Sequence, residues 1–138
     1  MTGSALNHHP SFRVLIVEDD PQISELIALT LRDPAFALTT AETGAAALEA
    51  LSRETPDLVV LDILIPDPDG WKVYEHIRGD PALSRTSVII LTALQVRPEV
   101  LAGKRLRAQD RFMKKPFDLD DLRSIVKALL AVAPFSGA

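Results

Sequence analysis

The chain has 138 residues, 15 Lys+Arg against 19 Asp+Glu, a formal net charge of −4 and no cysteine. Such a length holds one core, and 47% hydrophobic with 25% charged residues is the balance of a globular domain, which excludes disordered, collagen-like and coiled-coil chains. Without cysteine there is no disulfide scaffold, thiolate metal site or thiol nucleophile, and with no secretory signal pattern or transmembrane run the expected location is the cytoplasm, away from the membrane.

From Phe12 onward, short β-branched runs alternate with stretches of helical spacing, the pattern of βα units around a parallel sheet. Residues 1–11 read as an N-terminal tail, 12–132 as one domain and 133–138 as a flexible end. The first strand is expected at Arg13–Val17. Asp20-Pro21 then supplies an N-cap and an N1 proline for a first helix, with Ile23, Leu26, Ile27, Thr30 and Leu31 as its apolar stripe. A second strand at Ala35–Thr40 is followed by an Ala-rich helix capped by Thr43 and ending near Arg53. The third strand, Leu58–Leu61, shows no polar alternation, as expected of a strand covered on both faces. Asp69-Gly70 opens a third helix carrying Trp71, Val73, Tyr74 and Ile77, and Gly79 followed by Pro81 stops it. The fourth strand is expected at Ser87–Leu91 and a fourth helix around Pro98–Arg107, weakened by Gly103. The fifth strand is expected at Arg111–Met113. Asp118 caps a fifth helix with the stripe Leu119, Leu122, Ile125, Val126 and Leu129. This pattern does not order the strands.

In a parallel α/β sheet ligands bind beyond the carboxyl ends of the strands, so the residues that end each run carry the functional information. The first run ends in Glu18-Asp19-Asp20, the third in Asp62, the fourth in Thr92 and the fifth in Lys114-Lys115-Pro116. If these strands are neighbours, several carboxylates, a hydroxyl and an ammonium share one pocket. Two carboxylates about 4 Å apart repel by roughly 4 kcal/mol at an effective dielectric of 20, so the cluster asks for a cation. Ligation by oxygen alone favours a hard ion, Mg2+ before Ca2+. Taken singly, each residue has a plainer role: Asp19 a helix cap, Asp62 a turn former, Thr92 a strand residue, Lys115 a solvated charge, Phe112 core. Asp20 is read as a cap and nothing more. His8, His9 and His76 follow no metal-ligand spacing and read as surface residues.

The run Val14-Leu15-Ile16-Val17-Glu18-Asp19-Asp20, then Leu61-Asp62 with Pro66 four residues after the aspartate, Asp69-Gly70, Leu91-Thr92-Ala93 and Lys115-Pro116-Phe117 resembles the receiver domain of two-component response regulators. The resemblance runs in order from about residue 12 to 131. It implies a flavodoxin-like, doubly wound (βα)5 fold, a five-stranded parallel sheet of order 2-1-3-4-5 with helices on both faces. It also implies that Asp62 is the phosphoacceptor, a carboxylate nucleophile receiving a phosphoryl group from a sensor histidine kinase or phosphotransfer protein. Asp19 and Glu18, Asp62 itself and the Leu64 backbone carbonyl would hold Mg2+, with Mn2+ as a substitute. Lys115 and Thr92 would contact phosphoryl oxygens, the Lys115–Pro116 bond would be cis, and Phe112 would be the switch aromatic that turns when Thr92 moves.

Three departures qualify the resemblance. Arg107-Ala108-Gln109-Asp110 replaces the usual Gly-Ala-Asp turn, so a residue with a Cβ adopts the left-handed angle there or the turn differs. By the resemblance, Leu64 and Leu94, with Ala93, would form the rim of the phosphoryl site; two leucines cannot orient an attacking water, so a long-lived aspartyl phosphate is expected. Charge is also polarised, with seven basic residues against two acidic ones from Arg97 to Lys115. That places a basic surface on the face expected from the fourth helix, fifth strand and fifth helix. This face would bind an acidic downstream protein, or a second copy through Asp118, Asp120 and Asp121. Too few residues follow position 131 for a helix-turn-helix, so no direct DNA binding by this chain is expected; it reads as a stand-alone receiver or a receiver fragment. The competing reading, an aspartate-nucleophile phosphohydrolase, needs a second acid two residues after Asp62, where Leu64 stands. A nucleotide-binding module lacks both G-x-G-x-x-G and a P-loop.

Overall fold

The structure, a computed structural model, describes residues 11–92 and 107–132. Its five strands are β1 (Phe12–Val17), β2 (Phe36–Ala41), β3 (Leu58–Asp62), β4 (Ser87–Thr92) and β5 (Asp110–Lys114). All pair in parallel, in the order β2-β1-β3-β4-β5. This is the flavodoxin-like order that the resemblance implies. The helices are α1 (Pro21–Thr30), α2 (Gly44–Arg53), α3 (Gly70–Gly79) and α4 (Leu119–Val132), with a short 3-10 turn at Pro81–Leu83. α4 is the fifth helix expected from sequence. The fourth, around 98–107, lies outside the described residues except for Arg107, as do His8, His9, Ala93, Leu94, Arg97, Lys104, Arg105 and the two chain ends.

Side chains alternate across the sheet, and each face has its own layer. Leu15, Val17, Val59, Leu61, Val88 and Ile90 point to α2 and α3, where they meet Ala47, Leu51, Val73, Tyr74 and Ile77. Val14, Ile16, Leu58, Val60, Ile89 and Leu91 point the other way, to Ile27 of α1, to Leu31 at its C-cap and to Leu122, Val126, Leu129 and Leu130 of α4. β3 and β4 are buried along their whole length, as their uninterrupted apolar runs require.

The helix caps follow the sequence. Asp20 accepts from the Gln22 amide (2.9 Å), Thr43 from Ala46 (3.0 Å), Asp69 from Lys72 (3.0 Å) and Asp118 from Asp120 and Asp121 (2.7 and 3.1 Å). One expectation is corrected. Leu26 does not belong to the buried stripe of α1; it is 48% exposed, as is its neighbour Leu29 at 52%. The inward line is Ser24, Ile27 and Leu31, three and four residues apart, and Leu26 sits about 100° around the helix from Ile27.

The turn before β5 also departs from the family pattern. Among the described residues the only non-glycine with a positive φ is Asp67, so residues 107–110 use no left-handed angle. Instead the Asp110 carboxylate accepts the Arg107 amide (2.8 Å), while the Asp110 amide donates to the Arg107 carbonyl (2.9 Å). Asp110 itself is buried, bonded to the Tyr74 hydroxyl and the Arg78 guanidinium.

Candidate functional site

The parallel register brings the strand ends to one edge. Val17 pairs with Leu61 and Asp62 with Leu91, so Glu18 and Asp62 leave adjacent strands side by side. The Ile63 amide donates to the Leu91 carbonyl (2.9 Å) and the Lys115 amide to the Thr92 carbonyl (2.7 Å). These two bonds carry the sheet pairing one residue past the end of β3 and β5. They fix the backbone directions of the segments that leave the site.

Glu18 and Asp62 are almost completely buried, Asp19 is exposed, and one oxygen from each lies within 4.8 Å of the others. Lys115 reaches into this group. Its Nζ donates to Glu18 Oε1 and to Asp62 Oδ2, both at 2.9 Å. The other oxygens are held from the backbone: Asp62 Oδ1 accepts the Leu64 amide (2.9 Å) and Glu18 Oε2 the Asp20 amide (3.2 Å). Thr92 is fully buried at the end of β4, and Phe112 is half-buried on β5, packed against the α2/α3 side of the core. The Lys115–Pro116 peptide is cis.

Two excess carboxylates around one ammonium set the electrostatics. Burial pushes the Glu18 carboxyl up to about 7; Lys115 and the Asp20 amide oppose this, and the neighbouring Asp62 adds to it. Burial also works against the Lys115 ammonium, but its bonds to Asp62 and Glu18 outweigh that and leave it above its ordinary value. The donor set for a cation consists of oxygens alone, two of the three carboxylates are buried, and their charge exceeds what Lys115 supplies. That chemistry fits a hard divalent ion.

Leu64, whose amide holds Asp62 Oδ1, carries a large hydrophobic side chain that is 50% exposed. Two close approaches set the segment that carries it. Gly70, the first residue of α3, donates to the Ile63 carbonyl (3.0 Å), and a Cβ there would stand 2.5 Å from Ile63 Cα. The segment contains a second cis bond, Asp67–Pro68, which no sequence signal beyond the proline itself marks. Ala93 and Leu94 of the expected rim lie outside the described residues.

The model of the response regulator receiver domain matches residues 14–127. The chain belongs to the response regulator receiver family. Among curated relatives, the receiver is 35% identical over 118 residues to the probable transcriptional regulatory protein TcrX of Mycobacterium tuberculosis, covering 85% of this chain and 49% of that protein. It is 38% identical over 121 residues to the transcriptional activator protein PfeR of Pseudomonas aeruginosa, covering 88% and 38%. The receiver thus spans half or less of the length of these two relatives. Among solved structures it resembles a putative response regulator from Chloroflexus aurantiacus, with a TM-score of 0.77 and 31% identity over 89% of this chain and 99% of that one. It also resembles the signal receiver domain of a histidine kinase from Syntrophus aciditrophicus, with a TM-score of 0.79 and 32% identity over 90% and 93%. Among the described residues, no helix is long and apolar enough to cross a membrane.

Proposed function

We propose that this receiver is a phosphorylation switch that takes a phosphoryl group on Asp62 from a sensor histidine kinase or phosphotransfer protein. The observation that carries this reading is the convergence of Glu18, Asp19, Asp62 and Lys115 at one edge of the sheet, with the Lys115 ammonium 2.9 Å from two carboxylates. Glu18, Asp19, Asp62 and the Leu64 carbonyl would hold Mg2+, or Mn2+ in its place. When bound, the ion neutralises charge on the phosphoryl oxygens.

The residues of the chain supply the rest. A carboxylate oxygen of Asp62 attacks phosphorus; an O–P bond forms as the P–N bond to the donor histidine breaks, and its electron pair returns to the imidazole nitrogen. Lys115 follows the charge from the carboxylate to a phosphoryl oxygen, and the Thr92 hydroxyl donates to another. Movement of Thr92 frees space for Phe112, and β5 with its neighbouring helices then offers a changed face. Arg107, Arg111 and Lys114 are exposed there, and an acidic partner protein or a second copy bearing Asp118, Asp120 and Asp121 is the complementary surface.

The test is incubation with acetyl phosphate and Mg2+, read by intact mass. Wild type should gain one phosphoryl group and Asp62→Asn none. A phosphoryl group on Asp62→Asn, or continuous release of phosphate in place of a stable product, overturns the reading; the second result would favour a phosphohydrolase.

A further inference from the structure

The N-terminus of α2 holds a segment of the site that lies far from it in sequence. A helix leaves its first amides without helical partners. In α2 the Thr43 hydroxyl takes the Ala46 amide, but the Gly44 amide donates to the Pro66 carbonyl (2.8 Å) and the Ala45 amide to the Asp67 carbonyl (3.1 Å). Both acceptors belong to segment 63–69, which joins Asp62 to α3 and carries Leu64.

The fit is close. A Cβ on Gly44 would stand 2.0 Å from the Pro68 carbonyl oxygen and 2.6 Å from the Pro68 nitrogen, and both atoms are backbone, so α2 or the segment would have to move. Asp67 has φ 24°, a left-handed angle disfavoured for a residue with a Cβ. Local preference does not hold the segment in this shape; bonds from outside must do so. The Leu64 amide in turn holds Asp62 Oδ1 (2.9 Å).

We propose that Gly44 is a positioning residue for segment 63–69. Because it has no Cβ, α2 docks its first two amides on the segment, and this docking sets where the Leu64 backbone and the Asp62 carboxylate stand. The inference rests on the receiver reading given above and assigns to α2, outside the acidic cluster, a part in cation binding.

Trp71, the only tryptophan, stands two residues after Asp69, the end of the segment, so its fluorescence can report Mg2+ binding. Gly44→Ala is expected to weaken Mg2+ by about 10–100-fold, the range for partners that orient metal ligands, and to slow phosphorylation by acetyl phosphate. Ala45→Pro, which removes the second docking amide at a position in the first helical turn where proline is tolerated, is expected to weaken Mg2+ several-fold. Gly79→Ala serves as the control: a Cβ there meets nothing within 4 Å, and Mg2+ binding should stay at the wild-type value. A Gly44→Ala protein with a lower melting temperature but wild-type Mg2+ affinity has lost only structure, and the proposal fails. If Gly44→Ala does not fold, Ala45→Pro decides alone, and wild-type affinity in it also overturns the proposal. Wild type that takes no phosphoryl group on Asp62 sinks the receiver chemistry instead, while the Mg2+ titration still decides the part played by Gly44.

Discussion

Lys115 Nζ lies 2.9 Å from both Glu18 Oε1 and Asp62 Oδ2, a single ammonium shared by two buried carboxylates. It therefore has two effects on a cation entering the site: it repels the ion directly, and it occupies the oxygens that the ion needs. Replacing Lys115 with Met should tighten Mg2+ binding by roughly tenfold, since a unit charge a few ångströms away is worth more than a kcal/mol at intermediate dielectric. The same change should slow phosphorylation by on the order of 10²-fold, the cost of removing one donor aimed at developing charge. Isothermal titration and a phosphorylation time course measure the two separately. Weaker Mg2+ binding in Lys115→Met would show that the ammonium organises the carboxylates more than it competes for them.

Glu18 makes the stability of the metal-free protein depend on pH. Its carboxyl sits at about 7 in the fold against 4.5 in an open chain, chiefly through burial. The folded state therefore holds this proton more tightly than the unfolded state does. That contribution to stability is complete below about 4.5 and is lost as pH rises through about 7. Lys115, also raised, stays charged across this window and adds no slope of its own. Thermal melts in chelator should show a melting temperature that declines over this range. Glu18→Gln should flatten the decline, and Mg2+ should raise the melting temperature most at the alkaline end. A wild-type profile with no decline in chelator counts against a buried, proton-holding Glu18.

The parts of this molecule that were legible in its sequence are those that depend on short-range pattern. Leu58–Leu61 and Val88–Leu91 read as central strands because both of their faces are apolar, and Glu18, Asp19, Asp62 and Lys115 stood out because each ends a strand of a parallel sheet. What was not legible depends on contacts between distant elements. Leu26 and Ile27 are equally apolar, and only packing against β1 and α4 decides which of them turns inward. Asp110 looked like one of two acidic groups in a basic stretch, but it is buried against Arg78, 32 residues away. Nothing local to Gly44 announces that Pro68 lies on it.

Leu64 should control the lifetime of the aspartyl phosphate. Half of this side chain is exposed, two residues from Asp62, the proposed phosphoacceptor, and it can neither donate to nor accept from an attacking water. Leu64→Asn should shorten the phosphoprotein half-life by roughly tenfold, well below the ~10²–10⁴ of a general base, because an amide orients water without taking its proton. Adding Leu94→Glu should shorten it further. Loss of radiolabel after removal of the phosphodonor measures this. An unchanged half-life in the double variant would mean that the leucines do not limit access of water.

The buried group around Asp110 should be the most fragile polar contact in the fold. Arg78 and Asp110 form an ion pair with side chains 9% and 0% exposed, and Arg78 also donates to the Thr86 carbonyl at 2.7 Å. The Tyr74 hydroxyl donates to the same carboxylate, with the Arg78 guanidinium over its ring, and burial followed by Asp110 pushes the phenol up to about 12. Removing one partner strands the other without water, a loss of about 3–5 kcal/mol for a buried pair. Arg78→Met should show that loss in urea melts, whereas Tyr74→Phe, which leaves the ion pair intact, should cost only about 1–2 kcal/mol. The double variant should depart from the sum of the two losses, because both side chains bind the same carboxylate and touch each other. Strict additivity would mean that Tyr74 and Arg78 hold Asp110 independently. In that case β5, which begins at Asp110, would be anchored to α3 at two separate points.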